Sequence, residues 1–251
     1  MAKRPKPGKC VHCLKDPVER NWDHVFPKSW YPTTTAPDLY KWQIPTCIPC
    51  NSAMGKIESE FLSRVGLCLD PFDSASQDIV QKALKAMRPS AAKNNRDRQA
   101  RTALRQRVLE ELLQGSQIPK IGVYPGMGNR WGGPMEEQVA VRISAESLHR
   151  LTEKIVRGIF YVEDKQFIEP PYVIEFFALD SDGAKPIQEL LDRLGRVYAR
   201  EPGIIVHRAV LLDDGISSLF EIEFWRQFKM YASVMPIANN RSPDEAPIVP
   251  R

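Results

Sequence analysis

No apolar run in this chain approaches the ~20 residues that a bilayer-spanning helix needs, so the sequence offers no candidate for a helical membrane span. The basic opening, MAKRPKPGKC, has no apolar stretch behind it and does not read as a secretory signal. The expected location is therefore the cytoplasm. The Gly-x-Gly near the middle of the chain has no Gly-Lys-Ser/Thr ending and no strand-to-helix frame. That argues against a nucleotide phosphate loop, and residues 116–135 read as a Gly/Pro-rich connection. Histidine and cysteine are scarce, with four and five in 251 residues. Long helices are excluded before Cys50, where prolines at 17, 27, 32, 37, 45 and 49 interrupt any helical pattern.

Charge is present but uneven. The net charge is +4, yet residues 1–120 carry 20 Lys and Arg against 12 Asp and Glu, and the remainder is net negative. A basic half joined to an acidic half fits a polyanion partner for the first half, although a solvated basic face accounts for the same composition. The basic residues concentrate between Lys82 and Arg107, where nine Lys or Arg accompany a single acid, Asp97. Arg98, Arg101 and Arg105 fall on one face of a helix there and are candidates for contacting phosphates.

Hydrophobic spacing gives the organisation. Met54, Ile57, Phe61 and Val65 predict a helix ending near Gly66. Two further helices follow with a break at Arg88-Pro89-Ser90; the second places Leu104, Val108 and Leu112 four apart and stops at Gly115. Beyond residue 136, a strand at QVAVRIS leads into a helix capped by Ser144, with Leu148, Leu151 and Ile155 on one face. A strand at YVIEFFAL, a helix through PIQELLDRLGRVY and strands at GIIVHRAVLL and LFEIEFWRQFKMYASV complete it. The predicted class is α+β. The expected division is an N-terminal unit over 1–66, a basic helical connector over 67–135, an α+β unit over 136–236 and a disordered tail over 237–251. His149 and His207 lie in the α+β unit with no second ligand-type residue near them, and read as structural.

Four of the cysteines form two Cys-x-x-Cys pairs, Cys10/Cys13 and Cys47/Cys50, separated by 33 residues. In a reducing compartment such pairs bind metal or do redox work. No thioredoxin-like frame surrounds either pair. Two knuckles supply the four thiolates that tetrahedral zinc takes, so a structural zinc is expected. His12, inside the first knuckle, reads as an outward-facing spacer. Cys68 stands alone among apolar neighbours and reads as a small buried hydrophobe.

Between the knuckles lies NWDHVFPKSW, and Asn51 follows the second knuckle at once. A short ββα unit stapled by zinc would bring Asp23-His24 opposite the first turn of the helix that begins there. Asp23 and Asn51 offer oxygen ligands to a hard cation such as Mg²⁺, with His24 beside it to take a proton from water. The ordered set CVHC, WDHVFPKSW and CIPCNSAMGK resembles the zinc-containing HNH, or ββα-metal, endonucleases over residues 10–61. The resemblance implies zinc on Cys10, Cys13, Cys47 and Cys50; a catalytic Mg²⁺ or Mn²⁺ on Asp23 and Asn51; His24 as general base; Lys56 as a phosphate contact; and DNA as substrate. Lys28 belongs to the same basic surface. One departure stands out: the family's middle Asn is replaced by Trp42. Orientation of His24 then falls to a backbone carbonyl, or the site is poorly organised. The expected activity is phosphodiester hydrolysis. Two alternatives compete with it: a non-catalytic zinc module that binds nucleic acid, and an interaction scaffold. The α+β unit is a candidate surface for a protein partner or a second copy.

Overall fold

The structure, a computed structural model, describes residues 4–119, 134–178, 181–211 and 214–237. Most of the expected connection and nearly all of the expected tail lie outside them. Helices and sheets are mixed, as the α+β reading anticipates.

The N-terminal unit begins with strand β1 (Arg20–His24), antiparallel to β2 (Gln43–Cys47), and β2 runs directly into helix α1 (Ile48–Val65). Pro49 fits the first turn of α1, where a missing N–H costs nothing. Met54, Ile57, Phe61 and Val65 form its buried stripe, and the helix stops at Gly66 as predicted. Helices α2 (Ile79–Ala86) and α3 (Asn95–Glu110) follow, broken at Arg88-Pro89-Ser90. Here the spacing misleads in part. Leu104 and Val108 are buried, but α3 ends before Leu112, which lies exposed in strand β3 (Leu112–Gln114) paired with β4 (Val139–Val141). Gly115 turns the chain after β3 with φ +51° rather than ending the helix.

Helix α4 (Ala145–Ile159) starts where Ser144 Oγ accepts the backbone N–H of Ser147. Strand β5 (Tyr172–Phe177) and helix α5 (Ser181–Leu194) come next. The expected helical RVY belongs instead to β6 (Arg196–Arg200), followed by β7 (Ile204–Val210), β8 (Ser218–Phe224) and β9 (Phe228–Pro236). These strands form one antiparallel sheet in the order β5-β9-β8-β7-β6.

Strand alternation assigns the two faces of that sheet. Phe220, Ile222 and Phe224 on β8, with Met230, Ala232 and Val234 on β9, look toward α4 and the ββα unit and are fully buried. Glu221 and Tyr231 look the other way and meet Gln188 of α5. The ββα unit and the sheet thus share one apolar cluster. Its centre is aromatic: Trp30 lies 4.9 Å from Phe61 and 5.4 Å from Phe224, and the Trp225 indole donates to the Trp30 carbonyl at 2.8 Å.

Close approach of α4 to the end of β1 depends on Gly158. A Cβ there would lie 2.8 Å from Val25 Cγ2. Helix propensity alone favours Ala over Gly by about 1 kcal/mol, so a net loss would report the clash. Gly158→Ala is expected to destabilise the chain by about 1–3 kcal/mol in urea unfolding, and Val25→Ala in the same chain to recover most of it. Additive losses would show that the two sites do not touch.

Candidate metal centre and active site

The two knuckles meet. The Sγ atoms of Cys10, Cys13, Cys47 and Cys50 all lie within 4.8 Å of one another, and Cys13 and Cys47 are 3.8 Å apart. A tetrahedron with Zn–S bonds of about 2.3 Å has edges of about 3.8 Å, so the donor set fits one zinc ion. The Cys47 backbone N–H donates to Cys10 Sγ at 3.2 Å, a contact that favours a thiolate. The register explains the meeting: Arg20 at the start of β1 faces Cys47 at the end of β2, and the Val11 N–H donates to the Pro45 carbonyl. The first knuckle is thereby laid against the strand that carries the second. Cys68 stays apart, with its Sγ on the Arg64 carbonyl at 3.5 Å and its thiol pushed up to about 11 by burial.

His24 and Asp23 point to opposite faces of β1. His24 faces its cross-strand neighbour Gln43, whose amide nitrogen lies 3.1 Å from His24 Nε2. With the amide in that orientation Gln43 donates and Nε2 accepts. Burial lowers the His24 pKa, and the positive charges of Lys28, Lys154 and Lys41 reinforce this against the opposing effect of Asp23. Gln43 was not anticipated. The signal was in the sequence, one residue past Trp42, but only the β1–β2 register makes it a partner. Trp42 itself is buried, with the Arg200 guanidinium 3.6 Å above its ring, and its carbonyl accepts from the Val25 N–H rather than holding His24.

Asp23 faces inward and is 6% exposed. Its Oδ2 lies 3.3 Å from His12 Nε2, and its Oδ1 accepts from Lys154 Nζ at 3.1 Å. Lys154 comes from α4, is 1% exposed, and also pairs with Glu58 of α1. Burial alone would raise the Asp23 pKa; His12 and Lys154 overcome it and hold the carboxyl below its usual value. Burial raises Glu58, with Lys154 opposing, and burial lowers His12. His12 is thus turned in toward Asp23, contrary to the outward-facing spacer expected of it, because the knuckle lies over the buried face of β1. Asn51, in the first turn of α1, donates to Asn21 Oδ1 at 3.0 Å.

The expected catalytic Mg²⁺ or Mn²⁺ therefore meets an Asp23 already engaged: both of its oxygens have partners, one of them a buried cation, while Asn51 bonds Asn21 through its amide nitrogen.

Among the expected phosphate contacts, Lys28, Lys56, Arg98 and Arg105 are exposed, while Arg101 bonds Asp97 and the Lys85 carbonyl. Helix α3 meets α1 through Arg107 and Glu60, nine positions beyond Asn51. At about 1.5 Å per residue that contact lies roughly 13 Å along α1 from Asn51. Lys28 and Lys41 are the exposed or half-exposed cations felt by His24.

Comparison with protein-family models, with curated proteins and with solved structures gives no match. No helix of the described residues is long and apolar enough to cross a membrane.

If the four cysteines share one ion, purified protein should contain about one zinc per chain by elemental analysis, and Cys47→Ser should lose the metal and unfold the N-terminal unit. Zinc-free folded protein with freely reactive thiols would contradict this.

Proposed function

We propose that the chain is an HNH-type endonuclease that hydrolyses DNA phosphodiester bonds, with His24 as general base. The observation that carries the reading is the half-buried His24, its pKa lowered, on a ββα unit whose four clustered cysteines fit one zinc, flanked by Lys28 and Lys41. Its order of motifs supports the same reading. In the reaction, His24 Nε2 exchanges its contact with Gln43 for a water and accepts that water's proton as the oxygen attacks phosphorus. The bond from phosphorus to the 3′ oxygen breaks and that oxygen takes a proton from solvent water, while His24 returns its own proton to solvent, leaving a 5′-phosphate and a 3′-hydroxyl. Lys28, Lys41 and Lys56 supply positive charge for the phosphate. A catalytic Mg²⁺ or Mn²⁺ on Asp23 and Asn51, which the resemblance implies, is not carried into this reaction, because both Asp23 oxygens are engaged elsewhere.

A second reading has its own support. The ion pair of Lys154 with Asp23 favours a zinc module that binds nucleic acid without cutting it. Incubation of the protein with single-stranded, duplex and branched DNA separates the two. His24→Ala should reduce cleavage by about 10²- to 10⁴-fold and leave zinc content and DNA affinity unchanged. Because the His24 pKa is lowered from 6.5, the base form persists below that pH, and the acid limb of the kcat/KM profile should fall below about 6.5. Binding without cleavage of any DNA form, with or without added metal, would favour the second reading.

A further inference from the structure

We propose that Lys154 is the resident cation of the ββα unit: its ammonium, held between Asp23 and Glu58, fills the place at Asp23 where a ββα-metal enzyme would keep a divalent ion, and the protein takes up no Mg²⁺ or Mn²⁺ there. The inference rests on the HNH reading for where a metal would sit. The ion pair itself is independent of that reading.

The placement is built in three steps. Asp23 is two residues from Val25, so both project from the face of the β1 segment that looks toward α4. Lys154 and Gly158 are one helical turn apart on α4 and share a face. The absence of a side chain at Gly158 lets that face settle against Val25, as the 2.8 Å gap to a hypothetical Cβ requires. One turn earlier, Lys154 is carried over Asp23 and reaches Oδ1 at 3.1 Å. Glu58 of α1 closes the other side, and Lys154 is left 1% exposed.

Chemistry argues against a second cation beside it. Asp23 Oδ2 is already 3.3 Å from His12 and Oδ1 takes the lysine, so a metal at Asp23 would compete with both for the same oxygens. A hard divalent ion wants six or more oxygens, including carboxylates free to approach at about 2.0–2.6 Å. Here two carboxylates surround one ammonium, and a dication added next to it would meet like charge at close range in a site nearly closed to water. Remove the ammonium and the same two carboxylates become a cation site with an unfilled cavity.

The test is a Mn²⁺ titration of the full-length, zinc-loaded protein without nucleic acid, followed by electron paramagnetic resonance of free Mn²⁺, up to about 10 mM, tenfold beyond the weak end of protein sites for hard divalent cations. Wild type should show no uptake that Asp23→Asn removes. Lys154→Ala should take up one Mn²⁺ per chain, at least about tenfold more tightly than wild type, and its thermal midpoint should rise with Mn²⁺. Adding Asp23→Asn to Lys154→Ala should abolish both effects. Asp23-dependent Mn²⁺ uptake by wild type would overturn the proposal, as would a folded Lys154→Ala that takes up none. Should Lys154→Ala fail to fold, the comparison of wild type with Asp23→Asn decides alone, its presence or absence of Asp23-dependent uptake overturning or supporting the proposal. Because no DNA is present, failure here leaves the cleavage reading standing, and failure of cleavage leaves this result standing.

Discussion

The contact on which the rest of the arrangement turns is a lysine ammonium buried between two carboxylates. Lys154 lies 131 positions from Asp23 in the chain, yet its Nζ sits 3.1 Å from that side chain and also pairs with Glu58. Burying three ionisable groups is costly, and such a pair adds little net stability over an apolar core. What it does is forbid alternatives. Any slip of α4 along α1 or β1 would strand a charged group away from water with no partner, at a cost of about 3–5 kcal/mol. The apolar cluster that joins the ββα unit to the sheet is permissive about register by comparison, since Phe and Trp faces tolerate small shifts. The ion pair and the Gly158–Val25 approach together select one seating of the helix.

The second constraint is the cysteine cluster, and the two divide the labour. A ββα unit of two five-residue strands and one helix buries too little to hold its own first loop. Four converging cysteines set that loop against β2, with His12 over Asp23. The knuckle that carries Cys10 and Cys13 thereby contributes to the buried polar network as well as to the fold. His24 is left on the opposite face, oriented by Gln43 and surrounded by lysines. The pleat of one strand separates two environments: the inward residue of the Asp-His pair joins the buried ion pair, and the outward one is half-buried beside Gln43 near Lys28 and Lys41.

Much of this was legible from residue spacing. The two knuckles, the helix through Met54, Ile57, Phe61 and Val65, and the Ser144 cap all follow from local patterns, because a Cys-x-x-Cys turn and an apolar stripe are set by neighbours in sequence. The misreadings share a cause. Leu112 sits four residues past Val108 and satisfies the helical repeat, but pairing with Val141 draws it into a strand. Arg196 to Tyr198 continue a helix-like run but are taken by β7. His12 is turned inward, Gln43 holds His24 and Lys154 pairs with Asp23, and each of these depends on a partner that sequence order does not bring near. Trp42 illustrates both sides: its departure from the HNH pattern was visible, but its stacking under Arg200 and the handing of His24 to the next residue were not.

On the proposed reading the ββα unit carries zinc on its cysteines and an ammonium, not a metal, at Asp23. Anomalous diffraction from crystals soaked in MnCl₂, recorded at the zinc and manganese edges, distinguishes the two cation sites. A zinc peak is expected among the sulfurs of Cys10, Cys13, Cys47 and Cys50, with Lys154 Nζ between Asp23 and Glu58 and no manganese peak beside them. A manganese peak on Asp23 with Lys154 swung away, or sulfurs with no zinc between them, would contradict it.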